Sequence, residues 1–125
     1  MQRAGISTAA VILIGVLAGS TPALASFGAV AYDQATGRYG FSWTKPTQEQ
    51  ANAAALKDCG SDKCRVIPVP PAKCGALANS TDPKESNAWG VSIRDSKSAA
   101  ELAAMQNCQQ RTSGQCKVRG SECNH

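Results

Sequence analysis

The fold is decided by a stretch that occurs twice in the chain. Residues 39–60 read YGFSWTKPTQEQANAAALKDCG, and residues 89–108 read WGVSIRDSKSAAELAAMQNC. Each copy starts with an aromatic residue and a glycine, continues as a short strand, and becomes an alanine-rich segment of high helix propensity that ends at a cysteine. Thr47 and Ser96 each stand twelve residues before that cysteine, where a side-chain oxygen can cap the helix.

The repeat extends to both sides of this stretch. FGAVA at 27–31 recurs as CGALA at 74–78, and KCRV at 63–66 recurs as QCKV at 115–118. The shared order predicts two pseudo-symmetric strand–strand–helix–strand copies, one over about 27–73 and the other over about 74–123. We therefore expect an α+β fold, a single domain over 26–125 in which a mostly antiparallel sheet carries two helices and disulfides staple the chain.

Small side chains and helix breakers define the two predicted helices. Gly60 is expected to end the first helix, and Ser113-Gly114 the second. Each helix carries a stripe of alanines that lets it lie close to a sheet, Ala51, Ala54 and Ala55 in the first copy and Ala100, Ala103 and Ala104 in the second.

Prolines mark the end of the first copy. The segment 64–69 contains Pro68 and is followed by Pro70 and Pro71. Because proline cannot donate to a strand ladder, this strand is expected at a sheet edge.

The first 25 residues are predicted to be a signal peptide. Arg3 supplies the positive start, residues 9–19 form an apolar run of eleven residues, and Ala23-Leu24-Ala25 provides the small-x-small cleavage site before Ser26. The apolar run is shorter than the roughly 20 residues needed to span a bilayer. We expect an exported product, periplasmic or extracellular, with no membrane span.

The charge pattern and the missing phosphate loops exclude several classes of function. The net charge is +4, or +3 without Arg3, and the basic residues are scattered rather than gathered in a stripe, so nucleic-acid binding is not predicted. The chain contains neither G-x-G-x-x-G nor G-x-x-x-x-G-K-[ST]. No cofactor is predicted.

The cysteines predict a disulfide framework. Their even number in a small exported chain is typical of disulfide pairing, while their irregular spacing and the single histidine do not predict a zinc site or any other metal site. Three disulfides would each raise the free energy of unfolding by about 2–4 kcal/mol. This would compensate for a hydrophobic core that consists largely of small alanine side chains. The six are Cys59, Cys64, Cys74, Cys108, Cys116 and Cys123.

Six cysteines allow 15 pairings, and the repeat favours those that treat both copies alike. The preferred set joins Cys59 to Cys64 and Cys108 to Cys116, each tying a helix end to the next strand, with Cys74 and Cys123 closing one copy against the other. A rival set stays open, in which Cys64 pairs with Cys74, Cys116 with Cys123, and Cys59 with Cys108.

Taken together, these residues resemble the bacterial exported proteins grouped as domain of unknown function 4189. The likeness covers residues 27–123 and rests on the paired Gly-Ala-x-Ala and aromatic-Gly segments, the capped helices QEQANAAALKDC and SAAELAAMQNC, and the Cys-basic-Val segments. It implies bacterial export and disulfides but no activity. IPVPPAK at 67–73 and the polar segment 79–87 depart from the pattern.

Catalytic chemistry finds little support in the sequence. His125 is the single histidine and stands at a terminus that we expect to be mobile, so a nucleophile–histidine system is not predicted. The aromatic residues Tyr39, Trp43 and Trp89 occupy repeat positions, which predicts that they pack in or near the core. Four carboxylates in or beside predicted loops could serve a hydrolase, Asp33, Asp82, Glu85 and Asp95.

Binding is predicted at residues 68–73 and 81–87, within the two segments that do not follow the repeat, because loops on a rigid scaffold commonly carry function. We therefore favour a non-catalytic binding or inhibitor-like protein whose partner is an envelope or extracellular protein. The alternative is a small carboxylate-dependent hydrolase acting on cell-wall glycan. The candidate loop residues are Pro68, Pro70, Pro71 and Lys73 in one segment and Asp82, Lys84 and Glu85 in the other.

Overall fold

A computed structural model describes residues 24–125. Within that range the chain forms β1 (Phe27–Tyr32), β2 (Tyr39–Lys45), α1 (Gln48–Cys59), β3 (Arg65–Val69), β4 (Cys74–Ser80), β5 (Trp89–Arg94), α2 (Lys97–Gln109) and β6 (Cys116–Cys123). A short 3-10 turn, Pro83–Glu85, lies between β4 and β5. The predicted signal peptide falls on residues 1–25, of which 1–23 lie outside the described residues.

Each copy of the repeat forms its own three-stranded sheet. The strand order is β2-β1-β3 in the first sheet and β5-β4-β6 in the second, and all neighbouring strands are antiparallel. The predicted α+β fold of two antiparallel strand–strand–helix–strand copies is thus confirmed, with the strands in two sheets where one was expected. As expected from Pro68, β3 lies at a sheet edge.

One face of each sheet is covered by a helix through alanine side chains. Because side chains alternate along a strand, the residues between these alanines point to the opposite face of the sheet. The alanines are fully buried, Ala29, Ala31, Ala51 and Ala55 in the first copy and Ala76, Ala78, Ala100 and Ala104 in the second.

The opposite faces of the two sheets pack against each other through large side chains. The molecule therefore has four layers, a helix on each outside and the two sheets between them. Tyr39 is 37% exposed and lies at the margin of this inter-sheet cluster, where its ring packs edge-on against Phe41 at 5.7 Å between centroids. The cluster contains Val30, Tyr32, Val69 and Leu77, with Phe41, Trp43, Trp89, Val91 and Ile93 packed around them.

The two helices begin alike and end differently. The Thr47 side chain accepts from the Gln50 amide, and the Ser96 side chain accepts from the Ala99 amide, as predicted. Gly60 ends α1 in the left-handed conformation, with φ 77°. α2 ends at Gln109, earlier than predicted, because the Gln110 amide makes the last helical hydrogen bond, to the Gln106 carbonyl, and the Arg111 amide then donates to the Cys108 carbonyl, three residues before it. Ser113-Gly114 lies in the turn that follows.

The disulfides are Cys59–Cys64, Cys108–Cys116 and Cys74–Cys123, the arrangement favoured from the sequence. The first two join each helix end to the next strand. Cys74 does not close one copy against the other, however, because it begins β4 and faces Cys123 directly across the β4–β6 ladder. This third disulfide lies entirely within the second copy.

The last described residues lie against the residue that precedes β1, so the expected tail at His125 has backbone partners. The His125 amide donates to the Ser26 hydroxyl at 2.7 Å, and the Ser26 amide donates to the His125 carbonyl at 3.2 Å. The buried Asn124 side chain donates to the Val69 carbonyl at 2.8 Å. Within residues 24–125, neither helix has the length and apolar character needed to cross a membrane.

Candidate functional site

A polar cleft of about 260 Å³ opens where the β1–β2 hairpin, the segment after β4 and the middle of β6 meet. We call it the Arg119 cleft. Its walls come from both copies of the repeat, so neither copy could form it alone. Thr36, Tyr39, Asn79, Thr81, Asp82 and Arg119 are among the residues that line it.

Arg119 faces this cleft because β6 contains a β-bulge. Val118 lies opposite Ala78 and Gly120 lies opposite Leu77, so Arg119 is the additional residue on its strand. The bulge turns both Arg119 and Gly120 towards the first sheet, and a Cβ added at Gly120 would meet the Phe41 ring. The matching β1–β3 ladder of the first copy pairs without interruption.

Arg119 is half-buried, and its guanidinium contacts neutral oxygens. Its Nε donates to Asn79 Oδ1, and its Nη2 donates to the Ser80 carbonyl at 3.3 Å. Within residues 24–125 the structure contains one ion pair, between Lys73 and Asp95, and it does not involve Arg119. The cleft therefore contains a cation without a carboxylate partner.

Tyr32 fixes the wall of the cleft from the first copy. Its hydroxyl donates to the Ser86 carbonyl at 2.6 Å and accepts from the Asn79 amide at 3.5 Å. Burial raises the pKa of Tyr32, although the Asn79 hydrogen bond and the Arg119 charge act in the opposite direction. The phenol remains protonated at neutral pH and holds the segment after β4 against the first sheet.

The two predicted binding loops lie at opposite ends of β4. Asp82 lines the Arg119 cleft, with Lys84 and Glu85 in the adjoining 3-10 turn. A seven-residue strand separates this loop from the other by about 20 Å, so the two do not form one surface. At the far end lie Pro68, Pro70, Pro71 and Lys73, with Lys73 ion-paired to Asp95.

The four candidate carboxylates are engaged in local structure. Asp33 accepts from Ser61, Thr36 and the Ala35 amide. Asp82 caps the 3-10 turn through the Lys84 amide, and Glu85 accepts from Thr112. Asp95 lies beside Lys73 at the other end of the sheet. Of the four, Asp82 lines the Arg119 cleft, so this cleft lacks the facing pair of carboxylates that a glycosidase uses.

Acidification is expected to destabilise the fold through Asp33 and Asp95. The Ser61 hydrogen bond, followed by those from Thr36 and Ala35, holds the pKa of Asp33 below its usual value, and the hydrogen bond and charge of Lys73 do the same for Asp95. A carboxyl whose pKa is lower in the folded state stabilises that state above the ordinary aspartate pKa of about 4. This contribution is lost as the pH falls through the lower folded-state value.

This prediction is tested by urea denaturation at pH values from about 5 to about 2.5, with the urea concentration at the midpoint of unfolding as the readout. Asp33→Asn with Asp95→Asn should flatten the fall of the midpoint across this range, whereas Asp62→Asn, at an exposed position, should leave it unchanged. A double variant that keeps the wild-type slope would contradict the assignment.

The sequence did not identify Arg119 or Asn79 as parts of a site. One signal was available, because the repeat alignment sets Arg119 of QCKVR against the apolar Ile67 of KCRVI. A charged residue replacing an apolar one within a strand indicates a changed surface. Among the described residues, no group of three or more His, Cys, Asp or Glu side chains is placed to hold a metal ion.

Comparison with known proteins identifies relatives of this chain. The sequence pattern of the family described as "Domain of unknown function (DUF4189)" matches residues 27–123. Protein Rv1269c of Mycobacterium tuberculosis and Protein Mb1300c of Mycobacterium bovis are each 44% identical over 52 residues, which is 42% of this chain and 40% of each relative. The match thus spans less than half the length of these relatives.

A solved structure shares the fold. The NMR structure of Rv1813c from Mycobacterium tuberculosis is 24% identical in sequence, with a TM-score of 0.59, and the alignment covers 97% of this chain and 94% of that one. At this level of identity the likeness extends to the fold and not to a function.

Proposed function

The chain belongs to the family described as domain of unknown function 4189, and from that premise we propose that it is a non-catalytic, exported binding protein that holds its partner at the Arg119 cleft. The observation that carries the proposal is the half-buried Arg119, which lines a cleft and whose guanidinium contacts neutral oxygens. A concave site with a few convergent polar groups is the usual form of a binding site.

The rigidity of the cleft supports binding. Tyr32 and Ser86 join the two copies across it, and the Ser86 hydroxyl donates to the Gln34 carbonyl at 2.7 Å. The Cys108–Cys116 disulfide holds the start of β6, the strand that carries Arg119. A preformed site loses little conformational entropy when a partner binds, so modest contacts give useful affinity.

Export is part of the proposal because of the cysteines and the predicted signal peptide. All six cysteines are paired in disulfides, which persist in oxidising compartments such as the periplasm and the extracellular space. The partner is accordingly sought among envelope and extracellular proteins.

The test is capture from a bacterial envelope extract by immobilised protein comprising residues 26–125. Arg119→Gln with Thr81→Ala, both lining the cleft, should weaken capture at least about tenfold, which corresponds to about 1.4 kcal/mol. Pro71→Ala with Lys73→Ala provides the matched control, since these residues lie at the other end of β4 and should leave capture unchanged.

Two results would count against a binding role at the cleft. If both double variants weakened capture equally, the partner would not bind at the Arg119 cleft. Turnover of peptidoglycan or a model glycoside, abolished by Asp33→Asn or Asp95→Asn, would support the hydrolase instead.

A further inference from the structure

We propose that the Arg119 cleft recognises a carboxylate group, with the Arg119 guanidinium as the group that binds it. This inference rests on the proposed binding role of the same cleft and adds the chemical class of the ligand.

Arg119 has no anionic partner within residues 24–125. Asn79 and Ser80 supply neutral oxygens to Arg119, and the one ion pair within residues 24–125 lies at the far end of β4. A partly buried cation loses hydration, and neutral acceptors replace it incompletely. An anion entering the cleft would neutralise the guanidinium at a site where water screens the interaction less than on an open surface.

The Arg119 guanidinium has more hydrogen-bond donors than its contacts in the protein use. A guanidinium has five N–H donors in a planar fork, and the contacts to Asn79 and Ser80 use two nitrogens, Nε and Nη2. Further N–H groups remain for a ligand. The same two contacts fix the plane of the guanidinium, so a planar carboxylate can bind it with two parallel hydrogen bonds and little loss of side-chain entropy.

The charges that line the cleft favour a carboxylate over a phosphate. Arg119 is the one basic residue among those that line the cleft, and Asp82 lines it as well. One positive charge beside one negative charge suits a singly charged anion better than a doubly charged one, because Asp82 repels the second charge.

The cleft is small and lined by polar groups. A volume of about 260 Å³ is below the 300–1,000 Å³ typical of sites for drug-sized ligands. Hydroxyl and amide groups from Thr36, Tyr39, Asn79 and Thr81 surround it. The cleft therefore fits a small polar acid, or the free carboxyl end of a peptide, rather than an apolar chain.

The experiment is an NMR titration of ¹⁵N-labelled protein comprising residues 26–125 at low ionic strength. The probes are N-acetylglycine and its neutral analogue N-acetylglycinamide, and the readout is the Arg119 Nε–H signal together with the amides of Asn79–Asp82. The acid should shift these signals to saturation, and the amide should not.

Variants test the role of Arg119. Arg119→Gln should weaken binding of the acid at least about tenfold, and Arg119→Lys should weaken it less because the charge is kept while the fork is lost. Lys117→Gln is the matched control, since Lys117 is exposed on the same strand and the net charge changes equally. If Arg119→Gln fails to fold, the comparison of acid and amide on the wild-type protein still decides.

Two further probes distinguish the source of the carboxylate. Acetyl-triglycine should bind more tightly than N-acetylglycine if the ligand is a peptide end, and more weakly if it is a small acid. Its amide should not bind in either case.

Three outcomes overturn the proposal: equal binding of acid and amide, tighter binding of inorganic phosphate than of carboxylate, or equal effects of Arg119→Gln and Lys117→Gln. Capture of a partner without any response of Arg119 to the acid would refute the carboxylate and leave the binding role standing. Binding of the acid without capture of a partner would refute the protein partner and leave recognition of a carboxylate standing.

Discussion

Replacing Gly90 with alanine is expected to lower the free energy of unfolding by about 3 kcal/mol, because the added methyl group would overlap the backbone of α2. A Cβ at this position would lie 2.8 Å from the Cys108 nitrogen and closer still to the Ala104 carbonyl oxygen. Backbone atoms of a packed helix cannot move aside as a flexible side chain can. Gly40 in the first copy meets α1 in the same way, at the Ala55 carbonyl oxygen and the Cys59 nitrogen, so Gly40→Ala should have a similar effect.

The measurement is urea denaturation with the disulfides intact. Gly114→Ala is the control, since a Cβ there would lie 3.4 Å from its nearest neighbour, the Thr112 hydroxyl oxygen, and the change should stay within about 0.5 kcal/mol. If Gly90→Ala were as mild as Gly114→Ala, the close approach of helix to sheet would be wrong.

Removing the Cys74–Cys123 disulfide is expected to cost about 4 kcal/mol of stability, roughly twice the cost of removing Cys59–Cys64. A disulfide restricts the unfolded chain more as the loop that it closes becomes longer, and the sequence separations are 49 and 5 residues. The loss is one of chain entropy, so the ratio of the two costs follows from the two loop lengths.

The comparison uses Cys74→Ala with Cys123→Ala against Cys59→Ala with Cys64→Ala. The two pairs are matched in burial, since Cys59 and Cys74 are each 3% exposed and their partners are half-buried. Stability is read from denaturation midpoints and slopes. Equal losses from the two pairs would show that loop length does not govern the stability of this fold.

Local features of the fold could be predicted from the sequence. The caps at Thr47 and Ser96, the alanine stripes of the helices and the edge position of β3 depend on neighbouring residues and on periodicity. The internal repeat then supplied the order of elements and a preference among cysteine pairings, because equivalent segments are expected to fold alike.

Long-range strand pairing could not be predicted in the same way. Whether six strands form one sheet or two depends on which faces pack together, and the sequence pattern of each strand is compatible with either. The β-bulge at Arg119 is set by the register between β4 and β6, which no local signal specifies. The cleft was missed for that reason, although one of its walls, at Asp82, belongs to a loop named in advance.

The face-to-face packing of the sheets means that neither half of the chain is self-sufficient. Val30 and Tyr32 on one side and Leu77 on the other are fully buried against the opposite half. A polypeptide containing a single strand–strand–helix–strand unit would present this apolar surface to water and would have to associate with a second molecule of itself. Joining two such units in one chain makes the association intramolecular and independent of protein concentration.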